Sequence, residues 1–201
     1  MTPLPRIVLT GDSITDAGRD RSDRSSLGTG YAALVADALA GEAEVVNRGV
    51  SGDRAVDLEA RWADDVDALE PAVLSVYVGV NDTWRRFDRG DATSAEDFEA
   101  TYRRLLSSDA ARSARLVLVE PFLLPVRAEQ EEWRGDLDAK RDVVARLAGE
   151  EGAAFVPLQA ILSAEAAAVG PAALAADGVH PTPAGAALIA RAWLEAYRRA
   201  G

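Results

Sequence analysis

The chain has 201 residues, of which 48% are hydrophobic, so we expect one domain over residues 1–201 with a sizeable core. Its 33 acidic and 22 basic residues give a net charge of −11, which disfavours nucleic acid and anionic membranes as partners. The sequence contains no cysteine, which excludes disulfides, a thiol nucleophile and thiolate metal sites. We see no secretion signal and no apolar run of membrane-spanning length, so we expect a cytoplasmic protein.

Short apolar runs alternate with helical patterns along the chain. The runs predict strands at residues 6–11, 43–49, 72–79, 114–121 and 153–158. Each run is mostly apolar rather than alternating, which is typical of parallel strands covered on both faces. Apolar residues at helical spacing predict helices near residues 31–39, 58–69, 98–106, 143–147 and 183–197. This order predicts an α/β fold, a three-layer α/β/α sandwich with its site at the carboxyl ends of the strands.

The stretch LTGDSITDAG follows the first predicted strand and contains Ser13, a candidate nucleophile. The alternative is a strand-to-helix turn in which Asp12 or Ser13 caps the helix. The stretch is not a G-x-S-x-G elbow, because Thr15 stands where that motif requires glycine. The polar segment 16–30 that follows is either a solvated loop or one wall of a site.

His180 is the only histidine of the chain and lies in the stretch DGVHPTPAG. A carboxylate three residues earlier, that of Asp177, can reach the imidazole Nδ1–H and fix its tautomer. One alternative is that Asp177 forms only a local turn and that His180 is a surface residue. A metal site is disfavoured, because a tight site needs three or four ligands and the chain has no second histidine.

Two further motifs offer hydrogen-bond donors for an oxyanion. NRGVSGD follows the second predicted strand and contains Gly52, whose backbone N–H can approach a ligand closely. GVNDTW follows the third predicted strand and contains the side-chain donor Asn81. Taken singly, each motif is also ordinary turn chemistry. Trp84, in the same motif, either lines a substrate pocket or is a partly buried loop aromatic.

In this order the four motifs resemble the SGNH hydrolases, a superfamily also called GDSL-type esterases. GDSIT, GVSGD, GVND and DGVHP match its four sequence blocks over nearly the whole chain. The stretches LGTGY and NRGVSGDRAVDLEARW look closest to a bacterial branch that includes acetyl xylan esterases. Members of this branch often have an aromatic residue before the catalytic aspartate, where this chain has Ala176.

The resemblance implies a flavodoxin-like sandwich around a five-stranded parallel sheet, and a serine esterase without a cofactor or metal. It assigns Ser13, Asp177 and His180 to a catalytic triad, and Ser13, Gly52 and Asn81 to the oxyanion hole. Asp12 and Trp84 are additional candidates for substrate binding. The expected substrate is a short-chain acetyl ester, a small molecule or an O-acetylated oligosaccharide.

The sequence is also compatible with other functions and with assembly into oligomers. A lysophospholipase or thioesterase of the same superfamily would differ only in acyl and leaving groups. A non-enzymatic flavodoxin-like module would bind a phosphate at GDSITD, but the chain lacks a P-loop lysine and a G-x-G-x-x-G pattern. Assembly into a homo-oligomer is compatible with the resemblance.

Overall fold

A sheet of five parallel strands forms the centre of the protein in the computed structural model, which describes residues 3–199. The spatial order of the strands is β2-β1-β3-β4-β5. Each predicted strand is confirmed, although most end earlier than their apolar runs. The strands are β1 (Arg6–Gly11), β2 (Glu44–Gly49), β3 (Val73–Tyr77), β4 (Arg115–Val119) and β5 (Ala154–Val156).

Helices connect the strands and cover both faces of the sheet. In chain order they are α1 (Ser13–Asp16), α2 (Tyr31–Ala38), α3 (Ala55–Ala60), α4 (Trp62–Asp65), α5 (Val80–Arg89), α6 (Ala95–Leu106), α7 (Asp109–Ser113), α8 (Arg134–Glu150), α9 (Leu158–Val169), α10 (Pro171–Leu174) and α11 (Pro183–Arg199). Two 3-10 turns, Asp67–Leu69 and Ala128–Trp133, complete the connections. No helix within residues 3–199 is both long enough and apolar enough to cross a membrane.

Two apolar cores lie on opposite faces of the sheet, because successive side chains of a strand point to opposite sides. Ile7 and Leu9 of β1 pack in a core with α2, α9 and α11. Val8, between them, packs on the other face with α3, α6 and the second half of α8. Both faces of β1 are therefore buried, which explains its continuous apolar run and confirms the predicted three-layer sandwich.

The strand order places a crevice at the carboxyl edge of the sheet. β1 lies between β2 and β3 and is parallel to both. The chain leaves β1 toward β2 and then crosses back to β3, so the carboxyl ends of β1 and β3 flank a topological switch point. Ser13 lies two residues beyond the end of β1 and α5 begins three residues beyond the end of β3, so both lie at this edge.

The structure corrects two predicted elements. The single helix expected over residues 58–69 is divided into α3, α4 and a 3-10 turn, with non-helical φ and ψ of −116° and 8° at Arg61. Asn81 lies in the first turn of α5 rather than in a loop. Gly79 permits this early start, because its φ of +137° is a conformation that side chains with a Cβ rarely adopt.

Candidate active site

Ser13 is the first residue of the short helix α1, immediately beyond the end of β1. The carboxylate of Asp12 caps this helix by accepting the backbone N–H of Ile14 at 3.0 Å. Asp12 is completely buried, with 0% of its surface exposed. It supports the turn beneath Ser13, and its burial corrects the expectation that Asp12 contacts the substrate.

A continuous chain of hydrogen bonds joins Ser13, His180 and Asp177. The Ser13 Oγ lies 2.9 Å from the His180 Nε2, across 167 residues of sequence. The His180 Nδ1 lies 2.7 Å from the Asp177 Oδ2. The side chains of His180 and Asp177 are 44% and 41% exposed, so the site is open to solvent. The structure thus brings together the three residues that the sequence selected as a triad.

Hydrogen bonds keep the Asp177 carboxylate ionised. Partial burial acts to raise the pKa of Asp177, but bonds from the His180 ring and from the backbone N–H groups of His180 and Val179 outweigh it. The net pKa of Asp177 is lower than usual for an aspartate. The carboxylate is therefore negative at neutral pH and favours the Nδ1–H tautomer of His180.

Gln130 holds the loop that carries Asp177, a role that no sequence motif indicated. Its side-chain amide donates to the Asp177 backbone carbonyl at 2.7 Å, and its Oε1 accepts the Val126 backbone N–H at 2.9 Å. Gly178 packs tightly here, because a Cβ at this position would lie 2.8 Å from the carbonyl oxygen of Leu124. Gln130 is fully buried, so the loop that carries Asp177 is held from the protein interior.

The two predicted oxyanion donors, Gly52 and Asn81, lie on adjoining segments. The Asn81 Nδ2 donates to the Asp53 backbone carbonyl at 3.0 Å, which uses one of its two hydrogens. Gly52 has a φ of +91°, with open space where a Cβ would be. Its backbone N–H and that of Ser13 have no hydrogen-bond partner within residues 3–199. All three groups thus retain an N–H for a ligand.

Asp82 follows Asn81 and ties α5 to the loop that contains Gly52. Both carboxylate oxygens of Asp82 accept the Ala55 backbone N–H, at 3.2 and 3.3 Å. Burial raises the pKa of Asp82 to about 7, against the opposing effects of the Ala55 hydrogen bond and the positive charge of Lys140. No sequence pattern singled out Asp82, since an aspartate in a turn motif has many ordinary roles.

A pocket of about 290 Å³ lies against Ser13 and His180. Its wall includes Asp16, Gly18 and Arg19, so the start of the segment 16–30 forms part of the site. Arg19 is fixed there by bonds to the Asp16 carboxylate at 3.2 Å and the Gly49 carbonyl at 2.6 Å.

Trp84 lies beside the candidate triad. Its ring centre is 6.0 Å from that of His180, and 5.4 Å from that of Trp133. Phe87, one turn further along α5, stacks on Trp133, with a distance of 5.8 Å between their ring centres. Trp84 is half-buried, so part of this residue remains accessible beside His180.

Comparison with known proteins now identifies the family. The GDSL-like lipase/acylhydrolase family matches residues 9–188. The acetylxylan esterase of Geobacillus stearothermophilus is 37% identical, over 94% of this chain and 92% of that protein. The chain belongs to the GDSL-like lipase/acylhydrolase family. The protein is therefore a carboxylic ester hydrolase, which confirms the resemblance and rules out the non-enzymatic phosphate-binding module.

Solved structures agree with this GDSL-like fold. A GDSL-like lipase from Parabacteroides merdae superposes with a TM-score of 0.91 at 33% identity, covering 98% of this chain and 96% of that one. A catalytic mutant of the Geobacillus esterase, with a serine replaced by alanine, gives a TM-score of 0.88 at 35% identity and covers 98% and 95%. Two further catalytic mutants of that esterase replace an aspartate and a histidine that are three positions apart.

Proposed function

We propose that this chain hydrolyses short-chain acyl esters, above all acetyl esters of carbohydrates, through a Ser-His-Asp mechanism. Ser13 is the nucleophile, His180 the general base and Asp177 the carboxylate that orients the imidazole. The observation that carries the proposal is the hydrogen-bond chain from the Ser13 Oγ to the His180 Nε2 and from the Nδ1 to Asp177. A serine hydroxyl is a weak nucleophile and needs such a base within hydrogen-bond reach.

The reaction proceeds in two acyl-transfer steps. The Ser13 oxygen attacks the ester carbonyl carbon while its proton moves to the His180 Nε2. The tetrahedral intermediate collapses, the bond to the leaving alcohol breaks, and His180 protonates the alcohol oxygen. Water then gives a proton to His180 and attacks the acyl-enzyme carbonyl. As the second intermediate collapses, the bond to the Ser13 Oγ breaks, His180 returns the proton to that oxygen, and the carboxylic acid is released. Asp177 stays ionised throughout and stabilises the imidazolium form of His180.

The oxyanion of each tetrahedral intermediate is held by three donors in this proposal. They are the backbone N–H groups of Ser13 and Gly52 and the remaining side-chain hydrogen of Asn81. Donors of this kind are usually worth about 10²–10³ in rate each, because they are fixed before the charge develops. The bonds from Asn81 to Asp53 and from Ala55 to Asp82 support such a fixed arrangement.

Two features support an acetyl ester as the substrate. The pocket at Ser13 is about 290 Å³, and the exposed triad side chains leave room for a bulky leaving group outside it. The relative that is 37% identical is an acetylxylan esterase. One solved variant of that esterase replaces a tryptophan directly before the mutated aspartate, whereas this chain has the exposed Ala176 before Asp177. We infer that Trp84 supplies the aromatic contact to a sugar ring here.

The acyl preference is tested with p-nitrophenyl acetate and p-nitrophenyl octanoate, using Ser13→Ala as the control. We expect the acetate to have the higher kcat/KM, and the Ser13→Ala variant to be inactive on both esters. A higher kcat/KM for the octanoate would replace the acetyl ester proposal with the lysophospholipase or thioesterase alternative.

The carbohydrate preference is tested by Trp84→Leu, with Phe87→Leu as the matched control on the same helix. We expect Trp84→Leu to raise KM for acetylated xylooligosaccharides several-fold, because an aromatic contact is worth about 0.5–1.5 kcal/mol. KM for p-nitrophenyl acetate should change much less, and Phe87→Leu should leave both values unchanged. Equal changes in KM for both substrates would show that Trp84 does not contact the sugar.

A further inference from the structure

Arg61 lies at the break between α3 and α4, and its guanidinium makes four hydrogen bonds. The Nε donates to the Asp53 carboxylate at 2.7 Å, and the Nη1 donates to the Asp65 carboxylate at 2.7 Å. The other two acceptors are backbone carbonyls, of Arg48 at 2.8 Å and of Gly11 at 3.0 Å. The Arg61 side chain is 19% exposed, so it lies mostly beneath the surface.

These acceptors belong to the segments that carry the proposed catalytic groups. Gly11 ends β1, two residues before Ser13, and Arg48 lies near the end of β2. Asp53 directly follows Gly52, and its backbone carbonyl accepts the Asn81 side chain at 3.0 Å. One guanidinium therefore connects the turn that carries Ser13 to Asp53, which follows Gly52 and accepts the Asn81 side chain.

We propose that Arg61 is a positioning residue for the oxyanion hole. It sets the placement of the Gly52 N–H and the Asn81 side chain relative to Ser13, although it does not contact the substrate. This inference rests on the proposed function, since it assumes that these three groups bind the oxyanion. It also gives the segment RAVDLEARW a role, because the helix break in it points the guanidinium at the strand ends.

Arginine is suited to this position for a geometric reason. Its planar guanidinium presents five N–H donors in fixed directions, whereas lysine presents a compact ammonium on a flexible stem. A lysine at position 61 keeps the positive charge beside Asp53 and Asp65 but cannot reproduce four separated hydrogen bonds. Arg61→Lys therefore tests the positioning geometry while it preserves the charge.

The matched control is Arg6→Lys at the opposite edge of the sheet. Arg6 begins β1 and, like Arg61, bonds both a carboxylate and a backbone carbonyl, those of Glu44 at 3.0 Å and Leu69 at 2.8 Å, although it makes two such bonds rather than four. A purely structural role predicts that both lysine variants lose stability and retain kcat. A positioning role predicts that Arg61→Lys alone lowers kcat, because the displaced donors act in the transition state.

The experiment measures kcat and KM on p-nitrophenyl acetate, together with the inhibition constant of phenylboronic acid, which forms a tetrahedral adduct with a catalytic serine. For Arg61→Lys we expect kcat to fall roughly 10- to 100-fold, because small misplacements of catalytic groups lower rates by such factors. The affinity for the boronic acid should fall in parallel, with KM changed by less than about twofold. Arg6→Lys should keep the wild-type kcat and boronic acid affinity.

Wild-type kcat and boronic acid affinity in a folded Arg61→Lys variant would overturn the inference. If that variant does not fold, Asp53→Ala takes its place, because it removes only one of the four guanidinium bonds and leaves the carbonyl that Asn81 uses. Wild-type kcat in folded Asp53→Ala would equally overturn the inference. Full activity of Ser13→Ala would instead overturn the proposed function itself.

Discussion

Two buried carboxylates, Asp12 and Asp82, lie beneath the site and bond to backbone N–H groups. Burial raises the pKa of Asp12 to about 7, although the hydrogen bond from Ile14 and the neighbouring His180 act to lower it. Burial raises the pKa of Asp82 to about 7 as well, against the effects of Ala55 and Lys140. In the unfolded chain an aspartate has a pKa of about 3.9, so the native state holds two extra protons near pH 5–6.

The raised pKa values of Asp12 and Asp82 predict how these groups change the unfolding free energy with pH. Between about pH 4 and pH 7 these two groups hold protons in the native state that they have released in the unfolded state, so their contribution to the unfolding free energy decreases as pH rises. The stabilisation from each raised pKa is complete below the unfolded-state pKa of about 3.9 and is lost as pH rises through about 7. We expect the double variant Asp12→Asn/Asp82→Asn to lack this decrease.

The measurement is urea unfolding of wild type and double variant at several pH values. The variant's unfolding free energy minus that of wild type should increase from about pH 5 to pH 8, by at most about 1.4 kcal/mol per pH unit for each group. A difference that stays constant over this range would show that neither carboxyl group is protonated in the native state.

Among the helices, α5 is placed relative to the sheet by Gly79. This glycine has a φ of +137°, and a Cβ there would lie 3.1 Å from the Pro121 ring. The same helix ends at Gly90, whose φ is +69° and where a Cβ would meet no atom within 4 Å. Asn81 lies only two residues beyond Gly79, so the position of its side chain depends on this start.

We expect Gly79→Ala to lower kcat on p-nitrophenyl acetate, with Gly90→Ala as its matched control. Both substitutions put a Cβ on a residue with positive φ and should each cost about 1 kcal/mol or more in unfolding free energy. Only Gly79→Ala should shift Asn81 and reduce kcat, by roughly tenfold or more. Equal kcat values for the two variants would show that the start of α5 does not control the proposed donor.

The strands and the longer amphipathic helices could be predicted because their signals are local. Continuous apolar runs marked all five strands, and helical spacing marked α2, α6, α8 and α11. The division at Arg61 could not be predicted, since it accompanies hydrogen bonds to Gly11 and Arg48, which are distant in sequence. Helix α9 was not predicted, because its Ala-rich sequence has few large apolar residues to define a face.

The candidate site was largely predictable because its residues lie in short motifs, three of them after strands and one before α11. Ser13, His180 and Asp177 meet at hydrogen-bond distance, as their motifs indicated. The residues that were missed, such as Gln130, Asp82 and Arg61, hold loops in place through hydrogen bonds to residues distant in sequence. No sequence spacing marks a contact of that kind.

Over the molecule as a whole, the net charge of −11 should slow the encounter with anionic esters. The comparison uses phenyl acetate, which is neutral, and its para-carboxylate derivative, which is anionic. The kcat/KM for the anionic ester, divided by that for the neutral ester, should rise as salt increases from about 0.01 M to 0.5 M, because ions screen the repulsion.

A ratio that falls as salt increases would indicate positive charge close to the site. Arg21 lies near the site and bonds the Asp16 carboxylate at 3.0 Å, with half of its side chain exposed. If the ratio of the two kcat/KM values falls as salt increases, local positive charge, of Arg21 above all, outweighs the acidic surface.

Every step of the proposed reaction depends on Ser13 as the nucleophile, and covalent labelling identifies the reacting serine. A fluorophosphonate reacts with an activated serine, and peptide mass mapping then locates the adduct. We predict one adduct, on Ser13, with loss of esterase activity in proportion to labelling, and no adduct in Ser13→Ala. An adduct on another serine of wild type, or full esterase activity in Ser13→Ala, would show that Ser13 is not the nucleophile.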